Sequence, residues 1–498
     1  MAAPRQAGAE DRALRWILPR TRALSLARVP AAALVFIVCL GVYLAGRSPS
    51  LDDWDSVNFA KAVVRFDLTF QAPHPPGYPL YVFLARIPNL FLHDPTASLT
   101  LLSALSGAAG VAFLWLLASD FGVPWLALPL AAMPLYWLSS EMALTDVPGL
   151  AFAVAATWLL ARAASRARPD WLVGGCVATG LCAGVRPQVV VVPLAVLAFY
   201  TLPQVAREGR WRALPPAGWG LVGSCLLWAV PLALTLPWPD PLGPFRVQAR
   251  YVSIADSLLG QPVTWSRLAA RLADFGSILS RYFGGPVDGG IAAFAGLTGV
   301  VVLLAAVSWR TPLTRLALAW AGAYGVVMVL VMQPGDPRKA LPVVPALLLL
   351  AGSGLQSLWG AARARLGAAG LVLTAFFALK CAPLVRELVL VPAPPEQAAV
   401  YIAERYSPED TMIISDTSAN HMQYRLPEFA SYGLDFIQPW ELDELLATRG
   451  YRRVIVLDRW ARPPMPAEFQ PVHVELFQRD PLVLPKAARV AFTSWERP

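Results

Sequence analysis

The sequence predicts a polytopic α-helical membrane protein that ends in a small α/β domain. Of its 498 residues, 56% are hydrophobic and only 15% are charged, and its mean hydropathy is +0.51. Soluble domains carry about 25% charged residues, so this composition excludes an ordinary soluble enzyme. Apolar runs long enough to cross a bilayer recur from about residue 30 to about residue 388, and only the last hundred or so residues are typical of a water-soluble domain.

Eleven apolar segments predict transmembrane helices. They lie at residues 30–46, 97–118, 123–139, 147–163, 171–185, 188–203, 218–236, 288–308, 314–332, 340–359 and 367–388. The first segment follows a basic stretch, but it is long and no small-residue cleavage site follows it, so it predicts an uncleaved helix and not a signal peptide. Residues 77–92 are also apolar but contain Arg86 and Pro88, and we interpret them as a helix lying in the outer interface of the membrane.

The arginines of the short loops predict the orientation, because basic residues concentrate in cytoplasmic loops. With residues 1–29 as a cytoplasmic N-terminal segment, every short basic loop falls on the cytoplasmic side; these loops hold Arg162, Arg166, Arg168, Arg207, Arg210, Arg212, Arg310, Arg315, Arg363 and Arg365. Residues 30–388 then form the transmembrane domain. Its first outer loop (47–96), a later outer loop (237–287) and the C-terminal domain (389–498) lie on the extracytoplasmic side.

The C-terminal domain alternates helical and strand patterns. EQAAVYIAERY (396–406) has helical periodicity, TMIISD (411–416) predicts a strand, ELDELLATRG (441–450) a helix and YRRVIVLD (451–458) a strand. This alternation is typical of a small α/β layer domain. It contains no glycine-rich phosphate loop, nucleophile elbow or metal-ligand cluster in its sequence, so acceptor binding or structural cover is expected of it rather than catalysis.

The net charge of +8 does not indicate a nucleic-acid partner. The basic residues are scattered among short loops and form no single stripe along the sequence. The five cysteines all lie in apolar stretches and show no metal-ligand spacing, so we expect them to be packing residues.

Ionisable residues gather where the predicted outer loops meet the ends of the helices. They are Asp52, Asp53, Asp55, Lys61, Arg65, Asp67, His74, Asp146, Arg186, Asp336, Arg338 and Lys339. Ion-coupled carriers place such groups near the bilayer midplane, where this sequence has almost none. Carboxylates and cations on one aqueous rim instead fit a site that holds a phosphate while a carboxylate accepts a proton from a hydroxyl.

The first outer loop has an acidic start and a proline-rich end. Residues 51–81 read LDDWDSVNFAKAVVRFDLTFQAPHPPGYPLY, and the HPPGYPLY block opens the interfacial helix. This loop resembles the GT-C superfamily of membrane glycosyltransferases, and within it the protein O-mannosyltransferase and aminoarabinose-transferase branch, which is glycosyltransferase family 39-like. In that branch an Asp-Glu pair lies a few residues before an aromatic-Ala pair, and a Pro-Pro block begins the next juxtamembrane helix.

The resemblance places the family's catalytic aspartate on Asp55 when the aromatic-Ala pair is aligned with residues 59–60. The family's usual glutamate then falls on Ser56, which leaves Asp52 and Asp53 as alternatives for a second carboxylate.

Two further motifs match in part. SSEMALTDVPG (139–149) puts Asp146 at the superfamily's second acidic position. DPRKALPVVPALLLL (336–350) is similar to the family's Arg-aromatic-x-x-Pro motif, with Lys339 in the aromatic position.

The resemblance implies an integral membrane glycosyltransferase of the plasma or inner membrane. Its donor would be a polyprenyl-phosphate-linked sugar, and its acceptor a hydroxyl of a protein, glycan or lipid at the outer face. Transfer would be a single inverting displacement, with Asp55 as general base and Asp52 or Asp146 as a further catalytic carboxylate. The donor phosphate and substrate would contact Arg338, Lys339, Arg186, His74 and Lys61.

Cofactor need is left open by the sequence. The donor brings its own phosphate leaving group, which agrees with the absence of any nucleotide-binding motif. A carboxylate pair such as Asp55 with Asp146 is able to hold a divalent cation, whereas the sequence shows no histidine or cysteine ligand set.

Two non-enzymatic functions compete with this hypothesis. A lipid or sugar transporter would need a path through the bundle, and such proteins commonly contain inverted repeats, which are not detectable here. A membrane-anchored binding protein would place its function in the C-terminal domain, so that removing residues 395–498 would abolish it.

The predicted orientation is testable by cysteine-accessibility labelling. A cysteine placed beside Arg363 is expected to react only from the cytoplasmic side and one beside Pro395 only from the outside, because the basic loops fix one register. Reaction of the first from outside, with protection of the second, would reverse the assignment.

Overall fold

A computed structural model describes residues 28–497, with gaps at residues 167, 261, 284–289, 334, 361, 434–443, 447, 449, 459–464 and 467. The predicted cytoplasmic segment (1–29) lies almost wholly outside the described residues. Half of the helix predicted over 441–450 also lies outside them, and residues 444–446, which are described, are helical.

The long secondary-structure elements of the described residues up to 390 are all helices. The helices are α1 (Arg28–Ala45), α2 (Trp54–Val64), α3 (Pro79–Leu92), α4 (Pro95–Asp120), α5 (Ala127–Ala132), α6 (Pro134–Glu141), α7 (Asp146–Ser165), α8 (Pro169–Val185), α9 (Val191–Val196), α10 (Leu202–Arg207), α11 (Leu214–Leu234), α12 (Gly243–Tyr251), α13 (Trp265–Phe283), α14 (Gly290–Ser308), α15 (Pro312–Val331), α16 (Val344–Trp359) and α17 (Arg363–Leu390).

Eight helical stretches among the described residues are long and apolar enough to cross a membrane. They are Arg28–Ala45, Pro95–Asp120, Asp146–Ser165, Pro187–Arg207, Trp211–Leu234, Pro312–Val331, Pro337–Trp359 and Ala364–Arg405, and shorter apolar helices occur at Pro79–Leu92, Pro169–Val185 and Gly299–Ser308. The predicted class, a polytopic α-helical membrane protein, is therefore confirmed. The count of eleven spans stays a prediction.

The span predicted at 123–139 is broken in the structure. A short 3-10 turn at Pro124–Leu126 leads into α5, and α6 begins at Pro134. Met133 is extended, with ψ at 127°. Proline disfavours helical geometry in the preceding residue and has no N–H to donate, so Pro134 separates the two helices.

The apolar segment predicted to lie in the interface forms the separate helix α3. Its Phe83 and Phe91 are exposed, whereas Tyr81 and Ala85 are buried against α2. Arg86 donates to the carbonyl oxygens of Ala62 at 2.9 Å and Val63 at 3.0 Å. An arginine inside this apolar helix thus caps the C-terminus of α2.

An arginine–aspartate cluster joins helices at the end of the bundle predicted to be cytoplasmic. Arg162 of α7 binds Asp120 at the end of α4 through two hydrogen bonds of 2.8 and 2.9 Å, and Arg28 reaches the same carboxylate at 3.4 Å. The Arg162 guanidinium also lies over the rings of Trp158 and Trp171.

The C-terminal domain is a five-stranded sheet with helices, which confirms the predicted small α/β domain. Its elements are α18 (Pro394–Arg405), β1 (Thr411–Ser415), α19 (Ala419–Arg425), β2 (Ala430–Gly433), β3 (Arg453–Leu457), β4 (Gln470–Gln478) and β5 (Arg489–Glu496). The strand order is β2-β1-β3-β5-β4. Strands β2, β1 and β3 are parallel, and β5 pairs antiparallel with β3 and β4. The sequence analysis predicted β1 and β3 but not β2, β4 and β5.

Candidate active site

Helix α2 places two aspartates at the start of the candidate site. Asp53 caps the helix, and its side chain accepts a hydrogen bond from the Asp55 backbone N–H at 2.9 Å. A carboxylate at this position satisfies a free N–H and interacts favourably with the helix dipole. Had residues 52–60 formed one helix, Asp52 and Asp55 would share a face. The helix instead begins at Trp54, so Asp53 stands beside Asp55.

The Arg338 guanidinium is the centre of the site. It contacts Asp336 twice, from Nε at 2.9 Å and from Nη2 at 2.6 Å. Its Nη2 also lies 3.3 Å from Asp53 and 3.7 Å from Asp55, and its Nη1 lies 3.6 Å from Asp146. Only 7% of the side chain is exposed. Four carboxylates from three distant parts of the chain therefore converge on one buried cation.

Arg186 forms a second buried cation beside the first. Its Nη2 lies 2.9 Å from Asp146, which is 1% exposed, and its Nη1 donates to the Thr145 hydroxyl. Gly149, one turn along α7, allows this approach, because a Cβ there would stand 2.6 Å from the Arg186 Cβ. Arg186 thus turns into the protein and pairs with Asp146.

His74 contacts the other oxygen of Asp55. Its Nδ1 lies 3.6 Å from Asp55 Oδ1, and its Nε2 lies 3.2 Å from the Tyr78 hydroxyl. Its ring packs edge-on against Tyr78 at a centroid distance of 5.1 Å. The HPPGYPLY block therefore supplies a histidine whose ring is fixed by a tyrosine four residues later.

Burial and charge give the neighbouring carboxyls different proton affinities. Burial raises the pKa of Asp53 to about 6, although Arg338 opposes this change. Burial acts in the same direction on Asp55, but the charges of His74 and Arg338 outweigh it and lower its pKa. In Asp336 the paired Arg338 likewise overcomes burial and lowers the pKa. Asp55 is 35% exposed, so the most accessible of the four carboxylates is also one that stays ionised.

Three residues predicted for the site make their contacts elsewhere. Asp52 is fully buried and pairs with Arg479 of the C-terminal domain at 2.9 Å. The other two are lysines: Lys61 donates to the Asn420 side chain, and Lys339 lies 3.5 Å from Asp256 in the later outer loop.

Sequence reasoning missed several partners that shape the site. Asp53 was left as an alternative to Asp52, and Asp336 was seen only as one member of a charged rim. A signal for Asp336 existed, since an aspartate two residues before Arg338 is able to cap the 3-10 turn that follows. No local signal marked Arg479, which is 427 residues away from its partner Asp52.

The described residues contain no group of three or more histidine, cysteine, aspartate or glutamate side chains placed to hold a metal ion. Asp55 and Asp146, the pair considered for a divalent cation, have the Arg338 guanidinium between them at 3.7 and 3.6 Å. In this arrangement the arginine supplies the positive charge that a cation would bring to these two carboxylates.

Comparisons with known proteins show a family similarity over part of the chain and a similar fold over nearly all of it. Residues 73–234 match the family model described as dolichyl-phosphate-mannose-protein mannosyltransferase, a range that includes His74, Asp146 and Arg186. No curated protein matches the chain by sequence.

Among solved structures, the chain is similar to ArnT from Cupriavidus metallidurans. The apo structure of ArnT aligns with a TM-score of 0.57 at 17% identity, and the structure bound to undecaprenyl phosphate with a TM-score of 0.54 at 16% identity. Both alignments cover 94% of this chain and 98% of ArnT. The archaeal oligosaccharyltransferase AglB from Archaeoglobus fulgidus aligns over 85% of this chain and 69% of its own, with a TM-score of 0.45 at 12% identity.

The alignment with ArnT spans nearly all of both chains, so the helical bundle and the C-terminal domain follow the order of the ArnT fold. The family model independently matches the segment that carries α3 to α11. The chain therefore has the fold of ArnT, and its residues 73–234 are similar to the dolichyl-phosphate-mannose-protein mannosyltransferase family.

Proposed function

We propose that this protein transfers a sugar from a polyprenyl-phosphate-linked donor to a hydroxyl acceptor, a protein, glycan or lipid, at the outer face of the membrane. The observation that carries the proposal is the position of Asp55. It is a partly exposed carboxylate with a lowered pKa, held between His74 and the buried Arg338. The family match and the ArnT-like fold support a lipid-phosphate donor.

In the proposed reaction the acceptor oxygen attacks the anomeric carbon of the donor sugar. The bond from that carbon to the phosphate oxygen breaks, the configuration inverts, and the acceptor proton passes to Asp55. The leaving group is the polyprenyl phosphate. Arg338 and Arg186 stabilise the negative charge that develops on its oxygens.

Arg338 retains capacity for a phosphate although carboxylates surround it. Its Nε and Nη2 are hydrogen-bonded to Asp336. Its Nη1 faces Asp146 at 3.6 Å, which is longer than a hydrogen bond. A phosphate oxygen that approaches Nη1 therefore replaces an ionic contact and not a hydrogen bond.

The other residues predicted to bind the sugar donor have different roles in the proposed reaction. His74 orients Asp55 through the 3.6 Å contact with its Oδ1. Lys339 follows Arg338 in the chain and adds positive charge near the proposed phosphate position, while its ammonium is held by Asp256 at 3.5 Å. We assign Lys61 to the contact with the C-terminal domain, because its ammonium meets Asn420.

The first test is the substitution Asp55→Asn. Asparagine keeps the size of the side chain but is unable to accept the proton, so transfer should fall by about 10² to 10⁴-fold while donor binding persists. Purified protein incubated with a panel of radiolabelled polyprenyl-phosphate sugars measures turnover. Asp67→Asn is the matched control from the same loop: Asp67 caps a short turn, a role that asparagine also fills, and turnover should be kept.

Full turnover in Asp55→Asn would remove Asp55 as the base. If Asp146→Asn lost activity instead, the base would be reassigned to Asp146. If no donor of the panel were used by the wild-type protein under conditions in which it is folded, the proposed reaction itself would be wrong.

The second test concerns the phosphate contact of Arg338. Arg338→Ala should raise the apparent KM for the donor more than Arg338→Lys does. The expected loss of donor-binding free energy in Arg338→Ala is roughly 1.5 to 3 kcal/mol, because a charged hydrogen bond is lost. The lysine variant keeps a cation among the carboxylates and so preserves the fold. Arg65→Ala, on an exposed side chain, is the control. A folded Arg338→Ala protein with an unchanged donor KM would exclude Arg338 from the donor site.

The third test uses the pKa of Asp53. Above pH 6 this carboxyl is charged and repels an anionic phosphate; below pH 6 it is neutral. Removing one charge beside the phosphate should lower the donor KM up to about tenfold between pH 7.5 and 5.5, the equivalent of ~1.4 kcal/mol. Asp53→Asn keeps the helix cap and should show the low KM at both pH values.

The matched control for this third test is His74→Gln, because His74 contacts Asp55, the other aspartate of the same helix start. It should keep the pH dependence that Asp53 causes. If Asp53→Asn showed the wild-type dependence and His74→Gln abolished it, the assignment to Asp53 would be refuted.

A further inference from the structure

The segment that leads into α2 is held by the C-terminal domain. Arg479, directly after β4, donates from Nη1 to Asp52 Oδ1 at 2.9 Å, and 1% of the arginine and none of the aspartate side chain is exposed. The two residues before Asp52 are held as well: the Leu51 carbonyl oxygen contacts His421 Nε2 at 2.9 Å, and the Ser50 hydroxyl accepts from the backbone N–H of Ala393 at 3.1 Å.

The helix itself is held by the same domain. The Asn420 side chain donates to the Trp54 carbonyl oxygen at 3.2 Å and accepts from Lys61. Burial lowers the pKa of His421 to about 4, so the neighbouring contact to Leu51 is made by a neutral imidazole at physiological pH. Both ends of α2 are thus fixed by residues from α19.

A buried ion pair is poor evidence for a purely stabilising role. The desolvation of both charges offsets most of their attraction, and well-packed apolar residues of the same volume often stabilise a fold equally well. Such a pair does fix the relative position of its two segments. Any other arrangement would leave one of the charges buried without its partner, which is strongly disfavoured. The Arg479–Asp52 pair accordingly fixes the position of one backbone segment.

That segment is joined directly to the proposed chemistry. Asp53 follows Asp52 and caps α2, and Asp55 lies in the first turn. Both carboxylates face Arg338 at distances of 3.3 and 3.7 Å, where a shift of less than an ångström decides whether a contact is kept. Since peptide planes are rigid, displacement of Asp52 moves the two following residues with it.

We propose that Arg479 is a positioning residue for transfer: through Asp52 it sets the place of the Asp53–Asp55 turn relative to Arg338. This inference rests on the proposed function, in which Asp55 is the base. It makes the C-terminal domain a working part of the transferase site, and it makes Asp52 the link between the two parts and not a second catalytic carboxylate.

The test compares Arg479→Met, Arg479→Lys and the double variant Asp52→Asn with Arg479→Met. Using the polyprenyl-phosphate sugar that the wild-type protein accepts, kcat per folded molecule should fall at least tenfold in Arg479→Met while the donor KM changes less than twofold. Arg479→Lys keeps a cation for Asp52 and should recover part of kcat. The double variant leaves no buried charge unpaired, so it should fold and still show a reduced kcat.

Arg453→Met is the matched control. Arg453 also pairs with two carboxylates of the C-terminal domain, Asp410 at 3.1 Å and Glu496 at 2.8 Å, but it makes these contacts within the sheet. It should keep kcat. Hydrogen exchange supplies a readout besides activity: Arg479→Met should speed exchange in the first turn of α2, and Arg453→Met should not.

A double variant with wild-type kcat, or an Arg479→Met variant whose losses follow only its folded fraction, would overturn the inference. The two proposals fail separately. Loss of activity in Asp55→Asn with full kcat in Arg479→Met refutes only the positioning role. Full activity in Asp55→Asn refutes the assignment of the base, whatever Arg479→Met does.

Discussion

The ion cluster around Arg338 is the interaction on which the rest of the site depends. Four carboxylates, from residues 53, 55, 146 and 336, converge where water reaches only one of them well. Burying that much negative charge is strongly unfavourable unless a cation with several donors lies among the groups. The planar guanidinium meets this need because it is always charged and has five N–H donors in fixed directions.

This cluster also explains why distant segments of the chain meet. The first outer loop brings two carboxylates, and the start of α7 and the turn before α16 bring one each; all of them would be costly to bury alone. Arg186 adds a second cation beside Asp146, which is almost fully buried. The predicted outer ends of the helices are therefore joined by charge, whereas their lengths pack through apolar and small side chains.

Sequence reasoning succeeded where the determining pattern is local. Apolar runs predicted most of the helices, the HPPGYPLY block marked the start of α3, and Asp55, Asp146, Arg186, Arg338 and His74 do meet in the structure. It did not separate α5 from α6, because the effect of Pro134 on Met133 competes with an apolar run that continues through both. It left Asp52 and Asp53 as alternatives for a second carboxylate, because the choice depends on the residue at which the helix begins, and only a start at Trp54 makes Asp53 the helix cap beside Asp55. The Asp52–Arg479 pair has no local signature, since it depends on how two domains dock.

Among the described residues, two buried arginine–aspartate clusters at opposite ends of the helical bundle differ in how completely their carboxylates are hydrogen-bonded. At the predicted cytoplasmic end, Asp120 accepts from Arg162 twice, from Trp158 and from Arg28, so both of its oxygens are fully engaged. At the predicted outer end, Asp55 lies 3.6 Å from His74 and 3.7 Å from Arg338, distances at which charge is balanced but no hydrogen bond is formed. A saturated carboxylate has no lone pair free to accept a proton from a substrate. Asp55 combines charge compensation with open hydrogen-bonding capacity, which is the condition that a general base must meet before its substrate arrives.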